Sequence, residues 1–496
     1  MAFRSRGLPS TGCNKCRSRK IRCDERKPTC ANCEKIGHAE CRYRDEFERT
    51  WRIQTDKAVV KTQRQREPAE TSFESVVFHR CLHDWACGTD ATPGISVSWF
   101  TALPAMYANA SPGGLLHTSI QVLANANYGK RLSDDGALRQ AASQYGQVLT
   151  MLRDTLPDME VSTWEVLASI LMLGIYETLV DKCIAAKGGW MSHMAGASML
   201  LKRNQQRTPL ELKIRAMITR QMLHASLITG QEPMMHLEQG QPPPPSPLLK
   251  HIYTQTNLLH QAASICTEWR RAFVEVDMGS GPERLVAVAG RALSLDRMLD
   301  EWSRHLPSEF VYTMEPTSVS ADPAWLQSLF EGPWAPQASH HYATGVAEML
   351  WRFYWVARMI LGQALLHTDV VLRGKGSALN PVAECRSQVE FGLLLAADRL
   401  CESCLGPLVA VSRKGPSSVS VQDVPSLHGY LMLQIVPTVE LCLEQIVVSD
   451  DLSGRKDWIR RMKVFLGQQI GFEKATADLD PARYRRLPIQ MWSMTS

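Results

Sequence analysis

The distribution of apolar positions changes character at about Ser75. Beyond it, apolar residues recur every three or four positions in runs separated by proline, glycine and polar breakers, which is the period of an amphipathic helix. Ala137–Leu152 places Leu138, Ala141, Ala142, Tyr145, Val148, Leu149 and Leu152 on one face. Pro157 closes that element, and Ser162 or Thr163 is placed to cap the next, from Trp164 to Val180. The same pattern predicts helices over Trp190–Lys202, Leu210–Leu227, Leu248–Val276, Arg284–His305, Ser339–His367, Pro381–Leu405, Leu427–Val448 and Asp457–Gln468. Gln241–Pro247 (QPPPPSP) reads as a loop or stiff spacer, because successive prolines cannot donate helical hydrogen bonds. Strand-like alternation is scarce, and no period of roughly 20–50 residues recurs. The expectation is a mainly α protein whose large body, residues 76–496, is all-α.

The first 75 residues do not share this pattern. Residues 1–44 are short, basic and rich in cysteine, and residues 45–75 form a polar linker containing the run Lys57–Arg66 (KAVVKTQRQR) and then Pro68. Charge follows the same division. Residues 1–66 hold 18 Lys/Arg against 8 Asp/Glu, whereas residues 67–496 hold 37 against 42. A basic head on a mildly acidic body points to a polyanion bound by the head. Val166–Val180 is too short to span a bilayer, and Gly345–Leu366 carries Glu348, Arg352 and Arg358, so no membrane segment is expected. The start, MAFRSRGLPSTGC, lacks the apolar stretch of an export signal. The 14 cysteines are therefore expected in a reducing compartment, where metal ligation is favoured over disulfides.

Cys13, Cys16, Cys23, Cys30, Cys33 and Cys41 follow C-x2-C-x6-C-x6-C-x2-C-x7-C, one unit written twice, 17 residues apart. If two of the six thiolates bridge, the set makes eight metal–sulfur bonds and closes two tetrahedral zinc ions, with no position left for a catalytic water. Ile21 and Ile36 are the sizeable aliphatic residues between Cys13 and Cys41. So polar a segment cannot build its own core, and metal must supply its folding free energy, on the order of 10 kcal/mol or more for structural zinc.

Gly12–Tyr43 resembles the binuclear zinc cluster of fungal Zn2Cys6 transcription factors. The resemblance implies two zinc ions and two short helices. It makes Cys13 and Cys30 the bridging ligands, with Cys16 and Cys23 completing one site and Cys33 and Cys41 the other. Pro28 matches the proline of the family's inter-half loop. It further implies that Lys20, three residues before the third cysteine, contacts a base of double-stranded DNA in a CGG-like half-site, with Arg19 as the next candidate. From the residues themselves, Arg17-Ser18-Arg19-Lys20-Ile21-Arg22 is a basic run that can meet the O6 and N7 acceptors of guanine if helical, with Ile21 turned inward. Arg17, Arg22 and Lys15 are expected near phosphates, which position a domain without specifying sequence. A solvated face or a nuclear localisation signal is the competing reading of that run. Arg42, Arg44, Arg49, Arg52, Lys57, Lys61, Arg64 and Arg66 can track the backbone. Phe47, Trp51, Ala58 and Val59 offer only a weak coiled coil, so a homodimer is allowed but not specified.

Val166–Val180 and Gly188–Arg203 are similar to the fungal-specific transcription factor domain that follows such clusters, which implies a helical regulatory body. Trp190, Met194, Ala197 and Leu201 are expected in the core, and His193 and Glu177 as structural polar residues. No H-E-x-x-H, G-x-S-x-G, G-x-G-x-x-G or phosphate-binding loop occurs, and Cys401/Cys404 is a C-x2-C without a partner pair. Gly113-Gly114 and Gly188-Gly189 read as helix boundaries. The expectation is a nuclear, non-enzymatic regulator of RNA polymerase II genes, an activator of a metabolic or secondary-metabolite pathway that also contacts the transcription machinery. A zinc enzyme with a nucleic-acid-binding head, or an interaction scaffold, are the alternatives.

Overall fold

A computed structural model describes residues 12–26, 28–37, 41, 72–86, 99–156, 163–180, 189–203, 208–232, 247–317, 323–413, 420–446 and 451–477. The chain divides into two compact units, residues 1–73 and 74–496. The arginines after Cys41, the run 57–66, the coiled-coil positions, the proline tract 241–246, the side chain of Trp190 and the end from Asp478 lie outside the described residues.

In the first unit, α1 spans Asn14–Ser18 and α2 spans Ala31–Glu34. The second unit is helical: α3 (Phe73–Trp85), α4 (Leu103–Asn109), α5 (Leu115–Leu132), α6 (Asp135–Thr155), α7 (Thr163–Val180), α8 (Gly189–Arg203), α9 (Pro209–Thr229), α10 (Pro247–Asp277) and α11 (Glu283–Arg304). There follow β1 (Tyr312–Pro316), the short α12 (Ala324–Gln327), β2 (Ala338–Tyr342), α13 (Gly345–Gly374), α14 (Arg386–Ser412), α15 (Ser426–Gln445), α16 (Ser453–Phe465) and α17 (Glu473–Ala477). Among the described residues no helix is long and apolar enough to cross a membrane.

Local chemistry sets the boundaries. Thr208 and Glu211 form a reciprocal capping box with Pro209 in the first turn of α9, and Gly230 closes it in the left-handed region at φ +59°. Asp134 accepts from the Ala137 amide to start α6, and Gly114 immediately precedes α5. The body's core is one continuous apolar cluster that includes Met194, Ala197 and Leu201. Polar ties link distant parts of it. Asp84 is fully buried on α3 and accepts from Arg80 (2.7 Å) and Asn127 (2.7 Å), while Asn127 accepts from Trp85 and Ser426. Arg131 donates to the carbonyls of Val421 (3.0 Å) and Val424 (2.9 Å), so early and late helices share one buried network.

Helices α3 to α5 are not among those expected, α14 starts at Arg386 rather than Pro381, and two further stretches depart from the periodicity. Residues 338–342 are not the first turn of a helix but β2, paired antiparallel with β1, and α13 starts only after Thr344 caps the Ala347 amide. The helix expected to stop at Leu405, before Gly406-Pro407, instead runs to Ser412. Proline removes the hydrogen bond to the carbonyl four residues back. Here Arg352 of α13 donates to that carbonyl, Ser403 O, at 3.1 Å and to Ser403 Oγ at 2.9 Å. Gly406 is equally constrained, since a Cβ there would sit 2.0 Å from the His340 carbonyl oxygen.

Candidate metal centre and nucleic-acid interface

Cys13 caps the N-terminus of α1, its sulfur accepting from the Cys16 amide at 3.4 Å. Cys30 occupies the same position before α2. Each C-x2-C pair thus places one sulfur at a helix start and the next one turn in, converging on one point. The sulfur atoms of Cys13, Cys16, Cys23 and Cys30 lie within 4.8 Å of one another, and so do those of Cys13, Cys30, Cys33 and Cys41. The two groups share Cys13 and Cys30, whose sulfurs are 3.9 Å apart. The contacts Cys13–Cys33 (3.7 Å) and Cys16–Cys30 (3.5 Å) are likewise far longer than a covalent S–S bond, and all six thiols are free.

Backbone amides support these sulfurs. Cys23 Sγ accepts from Cys13 N (3.5 Å) and Glu25 N (3.4 Å), and Cys41 Sγ from Cys30 N (3.3 Å). Burial and the neighbouring sulfurs push the Cys16 thiol up to about 12 and raise Cys33 as well. Six sulfurs this close cannot all carry charge unless cations sit among them. The donor set fits soft divalent metal: sulfur ligands, two four-membered groups, and amide hydrogen bonds that orient the ligands.

The two halves of the head share a backbone plan. Helix α1 ends in a Schellman arrangement, with Lys20 N donating to Arg17 O (3.1 Å) and Ile21 N to Cys16 O (3.0 Å), and Lys20 at φ +56°. Seventeen residues on, Gly37 takes the equivalent left-handed position at φ +70°. Asn32 Nδ2 donates to Arg22 O (2.7 Å), and the Asp24 carboxylate accepts from the Ala31 amide at the start of α2, so the halves are stitched together.

They differ in charge. Lys15, Arg19, Lys20 and Arg22 of the first half are exposed and Arg17 half-buried, whereas Asn32 and Glu34 occupy the positions corresponding to Lys15 and Arg17. Arg26 is ion-paired with Glu34. No ion pair involves Lys15, Arg17, Arg19, Lys20 or Arg22 among the described residues. The expected basic helix is only partly realised: Lys20 and Arg22 lie beyond its end, and Ile21 is 37% exposed rather than turned inward. Periodicity carries no signal for a left-handed lysine, nor for the stitching roles of Asp24 and Asn32.

In the body, Glu177 Oε1 accepts from Tyr145 Oη (2.6 Å) and meets His193 Nε2 at 3.1 Å. Cys401 and Cys404 are buried in α14 and burial raises both thiols, Cys404 to about 12.

A cysteine-only centre of two four-sulfur groups that share two members defines a small domain able to hold two metal ions. Residues 11–50 match the family model of the fungal Zn(2)-Cys(6) binuclear cluster domain, a domain that binds two zinc ions. The chain is 29% identical over 120 residues to the Zn(2)-C6 fungal-type transcription factor afumD of Aspergillus fumigatus, across 23% of this chain and 31% of that protein. It is 57% identical over 35 residues to White-opaque regulator 2 of Candida albicans, across 7% of this chain and 8% of that protein. The matched stretches thus span less than a third of either relative. No solved structure matches.

Proposed function

We propose that the protein is a nuclear, sequence-specific DNA-binding regulator of RNA polymerase II genes and not an enzyme. The observation that carries this reading is a zinc-cluster head whose first half exposes Lys15, Arg19, Lys20 and Arg22 with no ion pair among the described residues. Cys13 and Cys30 bridge two zinc ions, Cys16 and Cys23 complete one site, and Cys33 and Cys41 the other. With all six sulfurs engaged, neither zinc has an open position for water, which favours this reading over a zinc enzyme. Zinc fixes α1, and the left-handed turn at its end projects Lys20 away from the cluster. Lys20, with Arg19 beside it, meets guanine O6 and N7 in a CGG-like half-site, while Lys15, Arg17 and Arg22 neutralise phosphates. The second half, with Glu34 held by Arg26, faces away from the duplex.

Residues 1–44 form the DNA-binding domain, 45–75 a basic linker and 76–496 a regulatory domain of the fungal transcription factor type, helical apart from the β1–β2 pair rather than all-α. That body recruits the transcription machinery, as an activator of a metabolic or secondary-metabolite pathway, and allows a homodimer. Lys20→Ala in the full chain is expected to abolish discrimination between CGG-containing and scrambled duplexes while zinc content stays unchanged. Equal discrimination by variant and wild type, in binding titrations at matched salt, contradicts the base-contact role.

A further inference from the structure

The head is one unit written twice, 17 residues apart, and the two copies treat one position differently. Lys15 of the first copy is exposed, whereas its counterpart Asn32, in the first turn of α2, is half-buried and bonds the other half. Its Nδ2 donates to the carbonyl of Arg22 at 2.7 Å.

Arg22 closes the basic segment. On its N-terminal side that segment is held by α1, through Lys20 N to Arg17 O (3.1 Å) and Ile21 N to Cys16 O (3.0 Å). From Ile21 to Arg26 the chain takes no regular structure. Such a stretch keeps two soft dihedrals per residue unless its peptide groups are tied elsewhere. The Asn32 bond ties the Arg22 peptide, and the Cys23 sulfur, which accepts from the amides of Cys13 and Glu25, ties the next residue. The turn Arg19–Arg22, with Lys20 in the left-handed region, is thus clamped at both ends.

Asp24 also bridges the halves, but its task differs. Its carboxylate accepts from the Ala31 amide at 3.1 and 3.3 Å, at the start of the helix that carries Cys33, so it supports the cluster itself. Asn32 instead acts on the segment that carries the cations.

We propose that Asn32 is a positioning residue for DNA reading: through the Arg22 carbonyl it sets the angle of the Arg19–Arg22 turn, and with it the direction in which Lys20 meets a base. This role rests on the reading of the head as a DNA-binding domain. Base recognition needs a donor aimed at particular acceptors in the groove, whereas a phosphate contact only has to bring a cation near the backbone. Loss of the Asn32 bond therefore costs discrimination between sequences far more than it costs affinity for DNA in general. The position that offers a phosphate a cation in the first copy is, in the second, the tie that aims the first.

The zinc-loaded full chain and its Asn32→Ala variant, titrated at matched salt with a CGG-containing and a scrambled duplex, test this alongside zinc retention against a chelator. In Asn32→Ala the ratio of the two affinities is expected to fall about tenfold or more, while affinity for the scrambled duplex changes by less than about twofold and both zinc ions stay bound. Asp24→Ala serves as the structural comparison, expected to release zinc more readily and to weaken binding to both duplexes together. Asn32→Gln keeps an amide donor one methylene further out, and its discrimination is expected to fall between that of Asn32→Ala and wild type. It decides the matter if the alanine variant fails to hold zinc. Wild-type discrimination by Asn32→Ala, or a loss of discrimination in both variants that only follows loss of zinc, overturns the positioning role. A wild type that does not distinguish the two duplexes overturns DNA reading by the head, and this role with it.

Discussion

At the scale of single residues, the head's cysteines were legible and its turns were not. Sulfur chemistry and a fixed spacing identify the six ligands, because so polar a segment has no other means of folding. Spacing says nothing of φ, and so concealed that Lys20 occupies the left-handed region, where its pseudo-equivalent is Gly37. A side chain in that conformation costs roughly 1–2 kcal/mol. Lysine is tolerated there because the cluster fixes both ends of the turn. Lys20→Gly should therefore stabilise the zinc-bound head by up to about 1 kcal/mol while removing the proposed base contact, and Gly37→Ala should destabilise it by a similar amount. Zinc retention against a competing chelator reads both. A Gly37→Ala variant that holds zinc as well as wild type contradicts the equivalence of the two turns.

At the scale of elements, periodicity located most helices of the body within a few residues, from Asp135–Thr155 through Ser453–Phe465. It missed α3, α4 and α5, the last because that helix buries Ser119, Asn125, Asn127 and Arg131, which blunt its apolar stripe. It also placed the end of α14 too early, because the donor that replaces the missing proline amide comes from Arg352, 51 residues from the Ser403 carbonyl that accepts it. Arg352 serves a second partner, forming an i,i+4 ion pair with Glu348. Arg352→Ala thus leaves a buried carbonyl and a buried carboxylate without their partner, an expected loss of about 3–5 kcal/mol. Urea unfolding measures it, and a loss below about 1 kcal/mol would mean that Pro407 is accommodated without this bond.

For the whole molecule, the body should lose stability steadily on acidification. The unfolded chain protonates His224 near pH 6.5, while the folded chain resists until about 4, so stability is lost as pH falls between those values. The slope approaches about 1.4 kcal/mol per pH unit. Asp84 acts in the same direction at lower pH: burial raises its carboxyl, but the His83 hydrogen bond and the charges of Arg131 and Arg80 outweigh it and hold it below the usual range. Its contribution is present above the unfolded carboxylate pKa and disappears as pH falls through the folded one. Urea midpoints at pH 7, 5.5 and 4.5 check this, and His224→Gln should flatten the upper part of the slope.

The division between a cysteine-rich head and an apolar helical body was legible in composition alone, and the charge asymmetry is what leads to the proposal that the head meets a polyanion. Long-range ties such as Asp84–Asn127–Ser426 were not legible, because each joins positions whose sequence neighbours give no hint of the partner. Selection of bound sequences from a random DNA pool, with the full chain carrying two zinc ions, tests most directly whether the head reads sequence. Enrichment of CGG-like triplets, abolished when a chelator removes the metal, is the expected result. A zinc-loaded chain that enriches no sequence, or enriches the same one without zinc, would contradict it.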